Sequence, residues 1–290
     1  MKTLLALTFL LGSLALSGAA TTINSTNKFT YGANVGWMDW RGDTNSGAVI
    51  GEFVCSGYIY SANVGWIHLG SNAPVNGIQY QNNSATDYGV NHDGLGNLRG
   101  SAWSANIGWV NFETNGAPKV NLVTGKLSGF IYSANCGWIS LSNAFAVVQT
   151  DHIQTGVDSD VDGIADAWER TYTNTLSAFT ATSDTDHDGV SDKNEYFADT
   201  SPLDPNSVLR ITSHSVAVIT GTESDTLTWN SRPTRQYVIQ SRTSLDSTNA
   251  FTDATSLLSP DAGTTTTRVA AFGVLSPQRF FRLQATKPLP

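Results

Sequence analysis

Charge is scarce in this 290-residue chain: Asp, Glu, Lys and Arg make up 14% of it, and Lys and Arg number 16. The net charge is −8, so a basic surface that grips nucleic acid through its phosphates is excluded. Cysteine is nearly absent. With Cys55 and Cys136 alone, no zinc ribbon, C-x-x-C redox pair or dense disulfide scaffold is available. The common catalytic signatures are missing as well: there is no H-E-x-x-H, no G-x-S-x-G and no glycine-rich phosphate loop. The histidines His68, His92, His152, His187 and His214 are scattered. Asp39, Glu52, Asp87 and Glu113 are carboxylates of the kind a glycosidase pairs, but no spacing joins any two of them. The expectation is a protein that is not an enzyme.

A long apolar run is found at the start of the chain. Lys2 precedes the run Leu4 to Leu16, and Ser17-Gly18-Ala19-Ala20 supplies small residues for cleavage. This is the layout of a secretory signal peptide over residues 1–20, too short for a comfortable membrane span. The mature protein is expected to be secreted or held at the cell surface, with no membrane insertion after cleavage. Export permits Cys55 and Cys136 to form a disulfide. Both also occupy positions where a related repeat carries an apolar residue, so two buried free thiols are the other reading.

What the chain does have is repetition. YGANVGWMDW begins at Tyr31, YSANVGWIHL at Tyr60, WSANIGWVNF at Trp103 and YSANCGWISL at Tyr132. Alternate copies are offset by one constant interval, so residues 21–147 hold a duplicated unit, each unit carrying two half-repeats. Ser-Ala-Asn-x-Gly is turn chemistry, and its flanks are β-branched and aromatic, which predicts a β-hairpin per copy. A five-residue loop would set Tyr60 opposite Trp66, Ile59 opposite Ile67, and Gly57 opposite Leu69, with the glycine making room for the large residue. One face is then wholly apolar, and the other carries an aromatic pair beside His68, Asn111 or Ser140. The apolar face is core. The aromatic face has two readings: a second packed layer, or a row of Trp and Tyr platforms for carbohydrate. Turns at His92-Asp93-Gly94 and Thr124-Gly125-Lys126 add a meander strand to two of the hairpins. The pattern resembles the Trp-rich W-S-x-N-x-G-W-I repeats of secreted bacterial proteins, a resemblance that implies location and little chemistry.

The scarce charge is concentrated. Residues 151–204 hold 13 of the acids against Arg170 and Lys193. Within that block, residues 158–169 read DSDVDGIADAWE and residues 184–195 read DTDHDGVSDKNE. Alternate aspartates on a tight loop converge on one centre, a glycine at the sixth position permits the turn, and a glutamate at the twelfth closes the sphere. The expected ligands are Asp158, Asp160, Asp162, Asp166 and Glu169 with the Ile164 carbonyl, and Asp184, Asp186, Asp188, Asp192 and Glu195 with the Val190 carbonyl. Oxygen ligands in this number suit Ca²⁺, so two calcium ions are expected. No apolar helical period precedes Asp158, so the entering helix of an EF-hand is missing, while ADAWERTY and DKNEYFA read as exiting helices. The loops resemble thrombospondin type-3 repeats, differing in the lack of cysteine and in the closing glutamate. That resemblance implies a metal role for the matching positions. With no core of its own, the block, residues 148–206, is expected to be loose without metal and to stiffen with it.

From residue 207 to 290, VLRITS, HSVAVIT, TLTWN, QYVIQSR, TTTRVAAF and RFFRLQA read as six short strands. They resemble a fibronectin type III-like β-sandwich. The expected fold is therefore mainly β: a duplicated antiparallel hairpin and meander domain, a short calcium-loop and helix linker, and a C-terminal sandwich. The expected function is a non-enzymatic extracellular calcium-binding modular protein of bacterial type, acting in surface attachment or extracellular interaction toward an unknown protein or polysaccharide ligand, with calcium stiffening the linker between β-domains. The alternative is a carbohydrate-binding protein using the repeat aromatics.

Overall fold

The computed structural model describes residues 20–219, 221–246, 248–273 and 275–290; residues 1–19 of the expected signal peptide lie outside the described residues. Turn chemistry sets the N-terminal architecture. In the four repeats the strands pair as far as Gly32↔Gly36, Ser61↔Gly65, Ser104↔Gly108 and Ser133↔Gly137. The loop residues proper are thus the three between each pair, and the expected pairings beside the turn, Tyr60 with Trp66 and Ile59 with Ile67, are those observed. The closing glycine takes φ of +73, +75, +70 and +76° at Gly36, Gly65, Gly108 and Gly137, a backbone that costs other residues dearly.

The first two hairpins join β1 (Ile23–Gly32) to β2 (Gly36–Asp39) and β3 (Ser56–Ser61) to β4 (Gly65–Ser71). A short β5 (Val90–His92) then leads into the third, β6 (Leu98–Ser104) and β7 (Gly108–Phe112). The two-residue β8 (Lys119–Val120) and β9 (Leu127–Ser128) precede the fourth, β10 (Phe130–Ser133) and β11 (Gly137–Ser140), and β12 (Val148–Thr150) follows. Neighbouring hairpins pair in order, through Asp39↔Tyr60, His68↔Trp103 and Asn111↔Tyr132. β11 returns to β1 through Tyr31↔Ser140, so eight strands close an antiparallel barrel. Closure removes every sheet edge from the four hairpins.

The apolar face points inward. Met38, Ile59, Ile67, Leu69, Ala102, Val110, Phe112, Ile131, Ile139 and Leu141 form one buried cluster with Cys55 and Cys136. The first repeat departs from this pattern. Thr30 stands where later copies have Ile59, Ala102 and Ile131, and its hydroxyl accepts the indole N–H of fully buried Trp40 at 3.1 Å. Both cysteines are free thiols. Burial pushes the Cys55 thiol up to about 12, so it is inert as a nucleophile.

The expected role of the strand glycines needs correction. A β-bulge between Gly57 and Tyr58 shifts Gly57 opposite Gly70 rather than Leu69. A Cβ at Gly57 would lie 2.2 Å from the Gly47 carbonyl, one at Gly100 2.3 Å from that of Gly89, and one at Gly129 2.3 Å from that of Ala117. The space is kept for backbone that crosses the strand, not for the large side chain opposite.

One end of the barrel is closed by a ring. Asn63 donates its side-chain amide to the Val35 carbonyl at 3.0 Å, Asn106 to Val64 at 3.1 Å, Asn135 to Ile107 at 3.1 Å, and Asn34 to Cys136 at 3.0 Å. Each repeat's asparagine thus holds the turn of the preceding repeat, and the first holds the last. The residues whose carbonyls accept, Val35, Val64, Ile107 and Cys136, turn their side chains into the core and plug that end. Replacing Asn106 by Ala should cost about 1 kcal/mol of barrel stability, the net worth of one such hydrogen bond. Urea unfolding followed by tryptophan fluorescence measures it, and the loss at Asn34, the closing contact, should match.

Beyond the barrel lie two short helices, α1 (Asp166–Tyr172) and α2 (Asp192–Ala198), each following one acidic loop. The C-terminal strands are β13 (Ile211–Ile219), β14 (Thr222–Asn230), β15 (Gln236–Arg242), β16 (Thr252–Asp253), β17 (Thr265–Phe272) and β18 (Phe280–Thr286). They form two three-stranded antiparallel sheets, β13-β14-β17 and β16-β15-β18, which share Leu227, Trp229, Tyr237, Ile239 and Ala270 as one core. Two segments read from the sequence as separate strands, VLRITS and HSVAVIT, merge into β13, and the sixth strand is the two-residue β16. Among the described residues no helix is long and apolar enough to cross a membrane.

Candidate metal centre

The two acidic loops share one backbone. The fourth position, Val161 and His187, has φ of +63 and +66°, and the sixth, Gly163 and Gly189, has φ of +89 and +92°. Two left-handed residues so close together curl each loop around its first aspartate. Asp158 accepts backbone N–H groups from Val161, Asp162 and Gly163, and Asp184 accepts those of Asp188 and Gly189. His187 stays exposed at the loop surface, its ring nitrogen 2.7 Å from the Asp184 carbonyl.

This curl gathers carboxylates. Asp158, Asp160 and Asp162 each bring one oxygen within 4.8 Å of the others, and Asp184, Asp186 and Asp188 do the same, so each triad could hold a metal ion. Asp162 Oδ2, Asp186 Oδ2 and Asp188 Oδ2 are buried without a hydrogen-bond partner. The twelfth-position residues are not part of these triads but share their lack of partners: Glu169 and Glu195 are fully buried, with both oxygens of Glu169 and Oε2 of Glu195 unpartnered. A buried carboxylate with no donor is costly, and a cation beside it supplies what the protein leaves out. Desolvation first, and the neighbouring aspartates second, push both glutamates up to about 8.

Asp166 and Asp192 have a different environment. Asp166 accepts from the Ser159 backbone N–H and hydroxyl at 2.7 and 2.6 Å, and Asp192 from Ser183 and Thr185. Each lies in the first turn of its helix and fastens the loop's entrance to it. The Ile164 side chain is buried in the linker core, and Val190 is half-buried.

The block does have a core, contrary to the expectation from its acidity. Ile164, Ala165, Trp168, Phe179 and Tyr196 pack together, with Phe53 of the barrel and Tyr172 against them. The four aromatic residues were visible in the sequence; their meeting across two loops was not. Lys193 of α2 reaches back to the Asp162 carbonyl at 3.0 Å and ties the second helix to the first loop. From the same helix, Tyr196 donates its hydroxyl to Glu52 at 2.8 Å, and Lys287 donates to the same carboxylate oxygen at 2.8 Å while lying 3.5 Å from the Tyr196 ring centre. Arg235 donates to the Tyr196 and Phe197 carbonyls, both at 2.8 Å, capping α2. No spacing in the sequence announced this junction.

On the barrel exterior the aromatic pairs stand in the open. Trp37, Trp66, Trp109 and Trp138 are 51, 46, 41 and 48% exposed. Each meets its cross-strand partner, Tyr31, Tyr60, Trp103 or Tyr132, with ring centres 4.7–5.3 Å apart. The cross-strand aromatic pairs expected of a structural layer are thus present in all four repeats, with the outer side of each pair open to solvent.

Comparison with protein-family models, with curated proteins and with solved structures finds no match for the chain.

Without a cation, Glu169 and Glu195 keep their protons to about 8 in the folded chain, against an ordinary 4.5. Their contribution to folding is then full below 4.5, declines as pH rises, and is lost above about 8. Unfolding in chelator should show stability falling across that window.

Proposed function

We propose that the protein is a non-enzymatic, exported calcium-binding modular protein, in which two Ca²⁺ ions order the connection between the barrel and the C-terminal sheets. The observation that carries this reading is the set of buried, unpartnered carboxylate oxygens on Glu169, Glu195, Asp162, Asp186 and Asp188. All are hard oxygen donors, and a site of several carboxylates with no nitrogen or sulfur favours calcium over transition metals. Calcium in the extracellular range of about 10⁻⁴–10⁻³ M suits such modules. The repeated loop suits a thrombospondin type-3-like role, and the C-terminal sheets suit a fibronectin type III-like sandwich serving as a spacer or adhesion unit. The partner in attachment is a protein or polysaccharide outside the cell.

Calcium should protect residues 150–206 from limited proteolysis, and chelator should expose them. Asp158→Asn and Asp184→Asn should each weaken one of two calcium-binding events about tenfold or more, measured by calorimetry. Unchanged protease resistance in chelator would overturn the reading.

A second reading, carbohydrate binding by the barrel, is favoured by the exposure of the four tryptophans. The polar residue beside each differs, being Asp39, His68, Asn111 and Ser140, while the aromatic frame is constant. A flat ring flanked by hydrogen-bonding groups suits a sugar, whose apolar face stacks while its hydroxyls bond outward. A glycan array probed with the mature chain should show binding that Trp66→Ala and Trp109→Ala reduce; an array without signal would remove this reading.

A further inference from the structure

The first C-terminal sheet ends on a strand built to be covered but left open. In β14, Glu223, Asp225, Leu227 and Trp229 face the second sheet and are buried. Their cross-strand partners in β13 share that face: Val218 opposite Glu223, Val216 opposite Asp225 and His214 opposite Leu227. Ser213, Ser215 and Ala217 take the outer face. The alternation is that of a half-buried strand, apolar within and small or polar without. Yet every residue from Thr212 to Val218 is exposed, and the inward-facing Val216 and Val218 are 55 and 57% exposed.

The other three edges of these sheets are guarded. β17 carries Arg268, ion-paired to Asp261 at 2.7 Å, β18 carries Arg282, and β16 has two residues, one of them Asp253. β13 has nine residues with no Lys, Arg, Asp, Glu or Pro. Its register irregularity lies between Ile211 and Ser213, so the remainder is regular strand. Of the acids beneath it, Asp225 has the His214 ring nitrogen 2.6 Å from Oδ1, and Glu223 pairs with Arg279 at 2.9 Å. An unguarded, regular and uncharged edge is a template for strand addition.

We propose that β13 is a homodimerisation edge, pairing antiparallel with β13 of a second copy of this chain. The strand complements itself. Pairing centred on Val216 sets Val216 against its own counterpart, His214 against Val218, and Ser215 against Ala217. The inward faces of both copies then form one strip of four valines with His214 of each copy at its ends, and the outer faces match small residue to small residue. The two-fold axis makes the contact isologous and self-limiting, joining two three-stranded sheets into one of six. In this register each His214 faces Val218 and never its own counterpart, and the strand holds no Lys, Arg, Asp or Glu to be left without a match, which is why a second copy is the occupant.

Sedimentation equilibrium of the mature chain should show a monomer–dimer equilibrium. Val216→Lys places two like charges directly opposite at the axis and should weaken dimerisation about tenfold or more, with Val218→Lys acting in the same direction. Val269→Lys, on the guarded edge strand β17 and 58% exposed in its own right, should leave the dimer intact. Circular dichroism and thermal melting of each variant separate loss of pairing from loss of fold, and the exposure of Val216 means that lysine is tolerated in the monomer. A wild-type chain that stays monomeric at every accessible concentration overturns the proposal, as does a dimer that Val269→Lys weakens and Val216→Lys does not.

Discussion

The middle of this molecule is organised around carboxylates that cannot satisfy one another. Glu169 and Glu195 sit in the first turn of helices seven residues long, fully buried, with aspartates as their nearest charged neighbours. Helices of two turns have no independent stability. What holds α1 and α2 is the packing of Trp168 and Tyr196, whose rings lie 5.5 Å apart, and that packing depends on where the two loops deliver the helices. The loops in turn are curled around carboxylate groups that repel. A cation at either triad would relieve that repulsion next to the helix pair, its aromatic core and the contact at Glu52.

The barrel solves a different problem with the same economy of residues. Four hairpins with short strands would each be unstable alone. Circular pairing gives every strand two neighbours, and the asparagine ring repeats that closure at the level of the turns. The arrangement explains why the repeats keep Asn and the closing Gly while varying the residue between them: Val35, Val64, Ile107 and Cys136 need only be apolar enough to plug the end. It also explains the aromatic belt's exposure. Once the apolar face is turned inward by closure, the opposite face has nowhere to go but solvent.

Sequence periodicity carried the local structure well, because a hairpin is decided by neighbours. The pairings Tyr60↔Trp66, Ile131↔Ile139 and Ala102↔Val110 follow from the turn alone. The identical loop registers likewise brought the two aspartate triads together, since alternate residues on a curled loop must converge. What was not legible depends on long-range contact. Barrel closure joins residues more than a hundred positions apart, and nothing in either strand encodes which end meets which. The crossing segments at Gly47, Gly89 and Ala117 were invisible for the same reason, so the glycines they explain were assigned to cross-strand packing. The linker core was missed because acidity dominated the composition, although its aromatics were present.

The junction gives the acidic segment its mechanical meaning. Tyr196 follows the buried Glu195 directly in α2, and its hydroxyl and ring hold Glu52 of the barrel and Lys287 from the C-terminal part of the chain. Burial lowers the Lys287 ammonium to about 8, with the Glu52 carboxylate opposing that shift. A desolvated ion pair of this kind is a poor source of stability but a demanding one geometrically: displace either partner and an unpaired charge is left buried. Tyr196, next to Glu195 in the helix that follows the second loop, donates its hydroxyl to the same Glu52 oxygen that Lys287 holds. The helix after the second loop therefore touches the barrel through Glu52 and the C-terminal part of the chain through Lys287 and Arg235, three contacts gathered within two residues of Glu195.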